Sequence, residues 1–366
     1  FWLKGLAVAQ AKKAARRNAA MMRVAQVNEF GKDIDDGISK LEVSSAPCPA
    51  HCGREQVVLR VKSCCINYPD LMNTANAHQH KQSLPLVPGM EYAGVIKAVG
   101  AGVTAFKIGD RVIAAAGGGL QEEVVVHQST CSKMPDHYTF AEGASFSVGY
   151  TTAYHCLVER ANLKPGETVL VHGATGGMGM AAVQLARAIG AKVIGTGGAD
   201  KKLEVVRSQG ADHVINYNSN AKFGKIVKEL TVGQGVDVVY DPVGGDVLKE
   251  SLSAVKWGGR VLIVGFTSGD RPALPSNILL IKGLTVMGCR AGEFVRRAPD
   301  GPRSVYEPRM RQLWRWAEER KLTPYISHEY ALEQVQEAFR CVHRRAVVGR
   351  ACIDMELPAG QMRSKL

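Results

Sequence analysis

The sequence predicts an α/β chain in which a doubly wound parallel sheet is inserted into a mostly β, barrel-like domain. Three observations predict it. Residues 168–189, TVLVHGATGGMGMAAVQLARAI, run from an apolar strand through a glycine-rich turn into an amphipathic helix. Strand and helix patterns then alternate as far as Val264, as parallel strands joined by crossover helices require. Residues 22–145 lack that alternation and hold short strand-like runs between glycine and proline turns.

Taken in order, the chain opens with a basic leader. Residues 1–23 hold Lys4, Lys12, Lys13, Arg16, Arg17 and Arg23 and no acid. Residues 1–21 are read as extra sequence ahead of the fold, with a start at Met21 or Met22; a transit peptide is the other reading. Met22–Val27 is the first strand pattern. Gln56–Val61, Ala93–Val99, Val112–Ala115 and Glu123–Val126 continue a β domain over 22–145. The inserted α/β domain spans 146–290. It has strands at 169–171, 192–196, 213–217, 236–240, 260–264 and 284–289, and helices near 201–209, 222–230 and 246–255. Residues 291–360, with helices near 305–320 and 331–342, are expected to return to the β domain, leaving a ligand cleft beside the insertion. Residues 361–366 form a tail.

With 366 residues, 46% hydrophobic and 22% charged, the composition fits two globular domains. No apolar run is long enough to span a bilayer as a helix. The net charge of +12 sits at the two ends, and the middle is nearly balanced. No basic stripe interleaved with aromatics marks a nucleic-acid module, so a nucleic-acid partner is not expected. Nine scattered cysteines form no disulfide framework, which fits a reducing compartment. Cys48-Pro-Ala-His-Cys52 lacks a second ligand pair and is not read as a metal hook. Ser364-Lys365-Leu366 matches a receptor-read address for peroxisomes and related organelles. An import receptor is therefore an expected partner, and such an organelle the expected location; without the signal the chain would be cytoplasmic.

The turn Ala174-Thr175-Gly176-Gly177-Met178-Gly179 is a dinucleotide phosphate corner with its first glycine replaced by alanine. Gly176 and Gly177 let backbone N–H groups approach a pyrophosphate. Gly179 allows the helix to pack close to the strand, and the helix N-terminus offers donors to the anion.

Several ordered motifs carry a resemblance: Asn67-Tyr-Pro-Asp-Leu-Met72, Pro85-Leu-Val-Pro-Gly-Met-Glu-Tyr-Ala-Gly94, Gly109-Asp-Arg-Val112, Gly149-Tyr-Thr-Thr-Ala-Tyr154 and the glycine turn. From Met22 to Arg350 the chain resembles the medium-chain dehydrogenase/reductase superfamily, in its zinc-free quinone oxidoreductase (zeta-crystallin-like) branch. The resemblance implies a Rossmann sheet inserted in a GroES-like β domain. Alcohol-oxidising relatives hold zinc through a Cys in the first motif and a His after the Pro-Gly step. Here those positions fall at or near Asn67 and at Met90, and the four-cysteine lobe is replaced by Gly117-Gly-Gly119. No metal is therefore expected.

The second strand ends in Thr196-Gly-Gly-Ala199 with no carboxylate at its tip, where an acid would bind an NAD ribose. Lys201 and Lys202 stand where a helix start could pair with a 2′-phosphate. By resemblance Gly198, Lys202 and Tyr217 match the family's NADPH-phosphate set. Asn67 and Thr151 are expected at the carboxamide or ribose, Val264-Gly265-Phe266 at the nicotinamide, and Arg350, on position alone, at the phosphates. The inferred cofactor is NADPH and the inferred acceptor a quinone or α,β-unsaturated carbonyl compound. Reduction proceeds by hydride or by single electrons, with Asn67, Tyr68 and Tyr150 as candidate catalytic donors to the developing oxyanion. Two alternatives stay open: an enoyl-thioester reductase, and an NADPH-binding structural or RNA-binding protein with little turnover. The resemblance also implies a homodimer, with the strand at 284–289 a plausible edge. Met72 and the polar loop 73–80 depart from the family on the acceptor side.

Overall fold

The computed structural model describes residues 20–365. The basic leader lies outside them except for its last two residues, and Leu366 lies outside them as well. The chain forms two compact units. One is built from the segment ending at Ser145 together with Ile326–Val347 and the residues from Ala351 onward; the other comprises Phe146–Tyr325 with Val348–Arg350.

The β unit begins with an antiparallel pair, β1 (Met21–Val27) and β2 (Leu41–Pro47), separated by the short helix α1 (Ile34–Ser39). Strand β3 (Gln56–Cys65) is its spine: Val57, Leu59 and Val61 are buried while Arg60 between them faces out. Helix α2 (Tyr68–Thr74) follows, then β4 (Glu91–Val99), β5 (Arg111–Ala114), β6 (Glu123–His127), β7 (Cys131–Lys133) and helix α3 (Phe140–Ala144). β4 and β6 both pair antiparallel with β3, so the sheet branches there and curls over a core that includes Leu59, Tyr92, Val112 and Phe339.

The second unit starts with helix α4 (Ser147–Tyr154), which widens into a π-helical turn over His155–Arg160. The sheet strands are β8 (Thr168–Val171), β9 (Lys192–Gly197), β10 (His213–Asn216), β11 (Val236–Asp241), β12 (Val255–Ile263) and β13 (Thr285–Gly288), all parallel in the order β10-β9-β8-β11-β12-β13. Helices α5 (Gly177–Ile189), α6 (Asp200–Ser208), α7 (Phe223–Leu230), α8 (Gly245–Ala254) and α9 (Ser276–Lys282) connect them. The order reverses between β8 and β11, which places a ligand crevice at the carboxyl end of β8.

Helices α10 (Ala291–Arg296) and α11 (Pro302–Glu318) correct one expectation. The chain does not return to the β unit at residue 291; it returns at Ile326. The cause is packing of α11 on α4. Trp314 stacks on Phe146 with centroids 4.3 Å apart, and the buried Arg309 guanidinium pairs with Glu159 at 2.7 Å. The returning segments supply β14 (Ile326–Ala331), helix α12 (Val335–His343), β15 (Arg350–Asp354) and β16 (Met362–Ser364). β16 adds antiparallel to β14, pairing Ser364 with His328, and the Lys365 N–H donates to the Ser327 carbonyl at 2.9 Å.

All nine cysteines are free thiols. Among the described residues no helix is long and apolar enough to cross a membrane.

Candidate functional site: a nucleotide crevice at the end of β8

The corner is built from backbone. Gly173 takes φ 57°, turning the chain out of β8 in the left-handed region that glycine tolerates. The Ala174 N–H donates to the Thr196 carbonyl at 2.9 Å, and the Gly176 N–H donates to the Gly173 carbonyl at 3.0 Å. Those two N–H groups are committed inside the turn, and Ala174 is fully buried. The first-turn N–H groups of α5, on Gly177, Met178 and Gly179, lie at a helix start, where donors are left over for an anion. Gly179 is required sterically: a β-carbon there would lie 2.3 Å from the Gly173 carbonyl oxygen.

Behind the turn sits a residue whose importance the sequence did not signal. His172 is fully buried, with Nδ1 2.8 Å from the Thr196 hydroxyl and Nε2 2.7 Å from the Ser251 hydroxyl. Ser251 spends its own proton on the Val247 carbonyl at 2.6 Å, so His172 carries its proton on Nε2 and accepts from Thr196 at Nδ1. Burial pushes the imidazole down to about 3, which keeps it neutral. Thr196 is therefore a brace of the turn, its hydroxyl buried against the imidazole.

At the tips of β9 and β10 the chain brings Gly198 and Tyr217 together, with Lys202 four residues further on. The Tyr217 N–H donates to the Gly197 carbonyl at 3.1 Å, and the Asn218 side chain donates to the Gly198 carbonyl at 2.9 Å. A β-carbon on Gly198 would meet the Asn218 amide nitrogen at 2.8 Å and the Tyr217 ring at 3.5 Å. Lys202, half-buried, lies in the first turn of α6. The nearest acid, Asp200, accepts from Asn216 at 2.9 Å. Asn218 is a member of this cluster that the sequence reading passed over.

Asp241, at the end of β11, was also missed. Its carboxylate accepts from the N–H groups of Val243 at 2.7 Å and Gly244 at 3.1 Å, while its carbonyl accepts from the Val264 N–H at 2.8 Å. Burial raises this carboxyl to about 6, against the pull of those hydrogen bonds. It shapes the turn holding Val264, Gly265 and the exposed Phe266. A carboxylate closing the apolar run Val238-Val239-Tyr240 was the available signal.

Arg350 reaches the corner. Gly349 bridges to Gly176 and donates to the Thr175 carbonyl at 2.8 Å, and the Arg350 side chain then lies against Gly149 of α4 and Gly177 of α5. A guanidinium beside a helix N-terminus sets two positive features together, an arrangement that an anion completes. Thr151, half-buried on α4, donates its hydroxyl back to the Ser147 carbonyl at 2.7 Å. Tyr150 corrects an expectation: it is buried and its hydroxyl donates to Gln184 at 2.5 Å, a structural contact within this unit and not an open catalytic donor.

In the β unit, Asn67 is likewise a correction. It is 3% exposed, caps α2, donates its backbone N–H to the Asp70 carboxylate at 2.9 Å, and donates its side-chain amide to Glu91 at 3.0 Å. That fixes a turn and leaves it poorly suited to bind an oxyanion. Tyr68, next to it, is exposed and stacks on His343. Asp70 accepts from the N–H groups of Asn67, Gly89 and Met90, which fills its carboxylate, and burial raises it to about 7. An amide, a thioether and two carboxyls already engaged by amides do not fit a zinc site. Among the described residues no group of three or more His, Cys, Asp or Glu is placed to hold a metal.

This geometry, a glycine turn at the switch point of a parallel sheet, is that of a nucleotide-dependent oxidoreductase. The comparisons with known proteins agree. Residues 53–136 match the alcohol dehydrogenase GroES-like domain, and residues 177–307 match a family described as zinc-binding dehydrogenase. The quinone oxidoreductase-like protein 2 homolog of Nematostella vectensis is 38% identical over 335 residues, covering 91% of this chain and 88% of that protein. The quinone oxidoreductase of Homo sapiens is 34% identical over 340 residues, 90% of this chain and 97% of that one. A mycobacterial protein solved in complex with NADPH superposes with a TM-score of 0.79 at 28% identity, covering 92% of this chain and 100% of its own. The chain belongs to the medium-chain dehydrogenase/reductase superfamily, in the zinc-free quinone oxidoreductase branch.

Proposed function

We propose that the chain is an NADPH-dependent reductase acting on quinones or α,β-unsaturated carbonyl compounds without a metal. The observation that carries the cofactor choice is the tip of β9. Gly198 is a glycine beside Tyr217, Lys202 stands in the first turn of α6, and the Asp200 carboxylate at the start of that helix is turned to Asn216. A 2′-phosphate is favoured there over a bare ribose hydroxyl. The first turn of α5 and Arg350 would hold the pyrophosphate, with Thr151 and Val264–Phe266 toward the nicotinamide. NADPH, when bound, supplies the hydride. This chain's residues orient the coenzyme, and Tyr68 is the exposed hydroxyl left to donate to the oxyanion formed on the acceptor. The relative solved with NADPH and the quinone oxidoreductases among the relatives support this reading.

A homodimer through β13 belongs to the same proposal. β13 is the edge of its sheet, and Trp257, Leu280 and Ile281 beside it are 77%, 83% and 69% exposed.

The test is an acceptor screen with NADPH and NADH side by side. Oxidation of NADPH by small quinones or enones, with NADH much slower, supports the proposal. Turnover of crotonyl-CoA alone would select a thioester reductase instead, and tight NADPH binding with no turnover would select a binding protein. NADH preference overturns the cofactor assignment.

A further inference from the structure

The segment after β12 carries a charge that coenzyme binding does not use. Residues 264–271 fold back along the turn that follows β11. The Thr267 N–H donates to the Pro242 carbonyl at 3.0 Å, the Ser268 N–H to the Val243 carbonyl at 2.9 Å, and the Gly245 N–H to the Asp270 carbonyl at 3.2 Å. This lacing sets the Arg271 guanidinium over the Phe266 ring, 6.0 Å from its centroid. Phe266 is 39% exposed, and Arg271 is exposed as well. Among the described residues no carboxylate pairs with that guanidinium, and its neighbour Asp270 is turned to Lys249 at 3.8 Å. The next strand adds to the charge. Ile263 and Gly288 are register partners at the ends of β12 and β13, so the chain beyond Gly288 leaves the sheet at the same carboxyl edge. There Arg290, Arg296 and Arg297 share the single carboxylate of Glu293, at 3.9, 2.7 and 2.7 Å. One negative charge does not neutralise three positive ones.

We propose that Arg271 is a specificity-determining residue that selects acceptors carrying an anionic group, a sulfonate, carboxylate or phosphate, over neutral ones. The inference rests on the proposed placement of Val264–Phe266 toward the nicotinamide. The coenzyme's own charges are served elsewhere, the pyrophosphate by the first turn of α5 and Arg350 and the 2′-phosphate by Lys202, so Arg271 is left for the second substrate. A quinone or enone that takes a hydride there is planar. The exposed Phe266 ring offers it an apolar face, and the planar guanidinium offers paired N–H donors to an anion at its margin. The arginines around Glu293 act at longer range. Their surplus positive charge raises the local concentration of anions at the carboxyl edge of the sheet, an effect that salt screens.

The experiment compares matched acceptors with NADPH at low and high salt. One pair is 1,4-naphthoquinone and the same quinone carrying a 6-sulfonate; the other is crotonyl-CoA and the neutral crotonyl thioester of N-acetylcysteamine. For the unmodified protein, kcat/KM for the charged member of a pair should fall as salt rises, while that for its neutral partner holds. In Arg271→Gln the charged-over-neutral ratio of kcat/KM should drop about three- to tenfold, carried by KM, and Arg271→Lys should recover part of it. A salt effect confined to the naphthoquinones assigns the site to an anion on the acceptor ring; one confined to the crotonyl pair assigns it to the CoA phosphates. The salt profile is read on the unmodified sequence, so it stands even if a variant fails to fold. Equal salt profiles within both pairs overturn the proposal, as does an Arg271→Gln protein whose KM rises for NADPH while the acceptor ratio stays intact. Reduction of the neutral quinone with no preference for the charged one removes this inference alone, whereas no reduction of any acceptor removes the proposed function together with it.

Discussion

Arg350 occupies the space that a side chain on Gly177 would need: a β-carbon there would lie 2.3 Å from the arginine Nε. The glycine of the phosphate turn and the arginine that returns from the far end of the chain are thus one device. Gly177→Ala pushes the guanidinium aside, which a flexible side chain permits, so the fold survives. Coenzyme affinity should fall about tenfold or more, the scale of one lost charge-assisted hydrogen bond. Arg350→Ala should weaken NADPH and NADH alike, because both carry the pyrophosphate. Titration calorimetry with each nucleotide reads this.

Lys202→Ala separates the two nucleotides. Removing a cation from the tip of β9 should raise KM for NADPH by about tenfold, leave KM for NADH near its starting value, and flatten the dependence of NADPH binding on salt. Equal losses for both nucleotides would remove Lys202 from the 2′-phosphate site.

Gly179→Ala attacks packing directly. Its β-carbon would meet backbone, the Gly173 oxygen at 2.3 Å and the Ala174 Cα at 2.7 Å, and neither can swing away. A loss of about 1–3 kcal/mol or more is expected from overpacking, read as a lower denaturation midpoint.

His172 gives a pH signature. Free histidine takes up a proton as pH falls through about 6.5, whereas the buried imidazole resists until about 3. The unfolded state therefore binds more protons in that window, and the histidine's contribution to stability is lost as pH falls from about 6.5 toward 3. The slope is about 1.4 kcal/mol per pH unit once below the upper limit. Asp70 and Asp241, both raised by burial, act in the opposite sense. The quantity to read is accordingly the difference between the unmodified protein and His172→Gln across pH 4.5 to 7.5, which should shrink with acid.

Leu280→Asp with Ile281→Asp tests the sheet edge. Both residues are exposed, so the fold should hold while the species in sedimentation shifts from dimer to monomer. A dimer that persists would move the interface elsewhere.

Much of this molecule was legible because its signals are local. The strand-turn-helix of 168–189 and the alternation up to Val264 each follow from periodicity, and observed elements fall within a few residues of the predicted ones. What stayed hidden depends on contacts distant in sequence. Nothing near residue 305 says that Trp314 will stack on Phe146, so the point of return was misplaced. Nothing beside Asn67 says that its amide will be taken by Glu91, nor beside Tyr150 that Gln184 will take its hydroxyl. Polar residues were read as available to substrate when the fold had already assigned them partners. His172 escaped notice for the converse reason: a histidine ending an apolar strand looks incidental until Thr196 and Ser251 arrive on either side.

The loop around Ala174 and Gly176 is laced by its own main chain, braced from behind by the imidazole and clipped in front through Gly349. Its shape does not wait for a nucleotide. A coenzyme docking here pays little ordering entropy, so the affinity it gains from each phosphate contact is kept, and release can be fast without the loop having to melt.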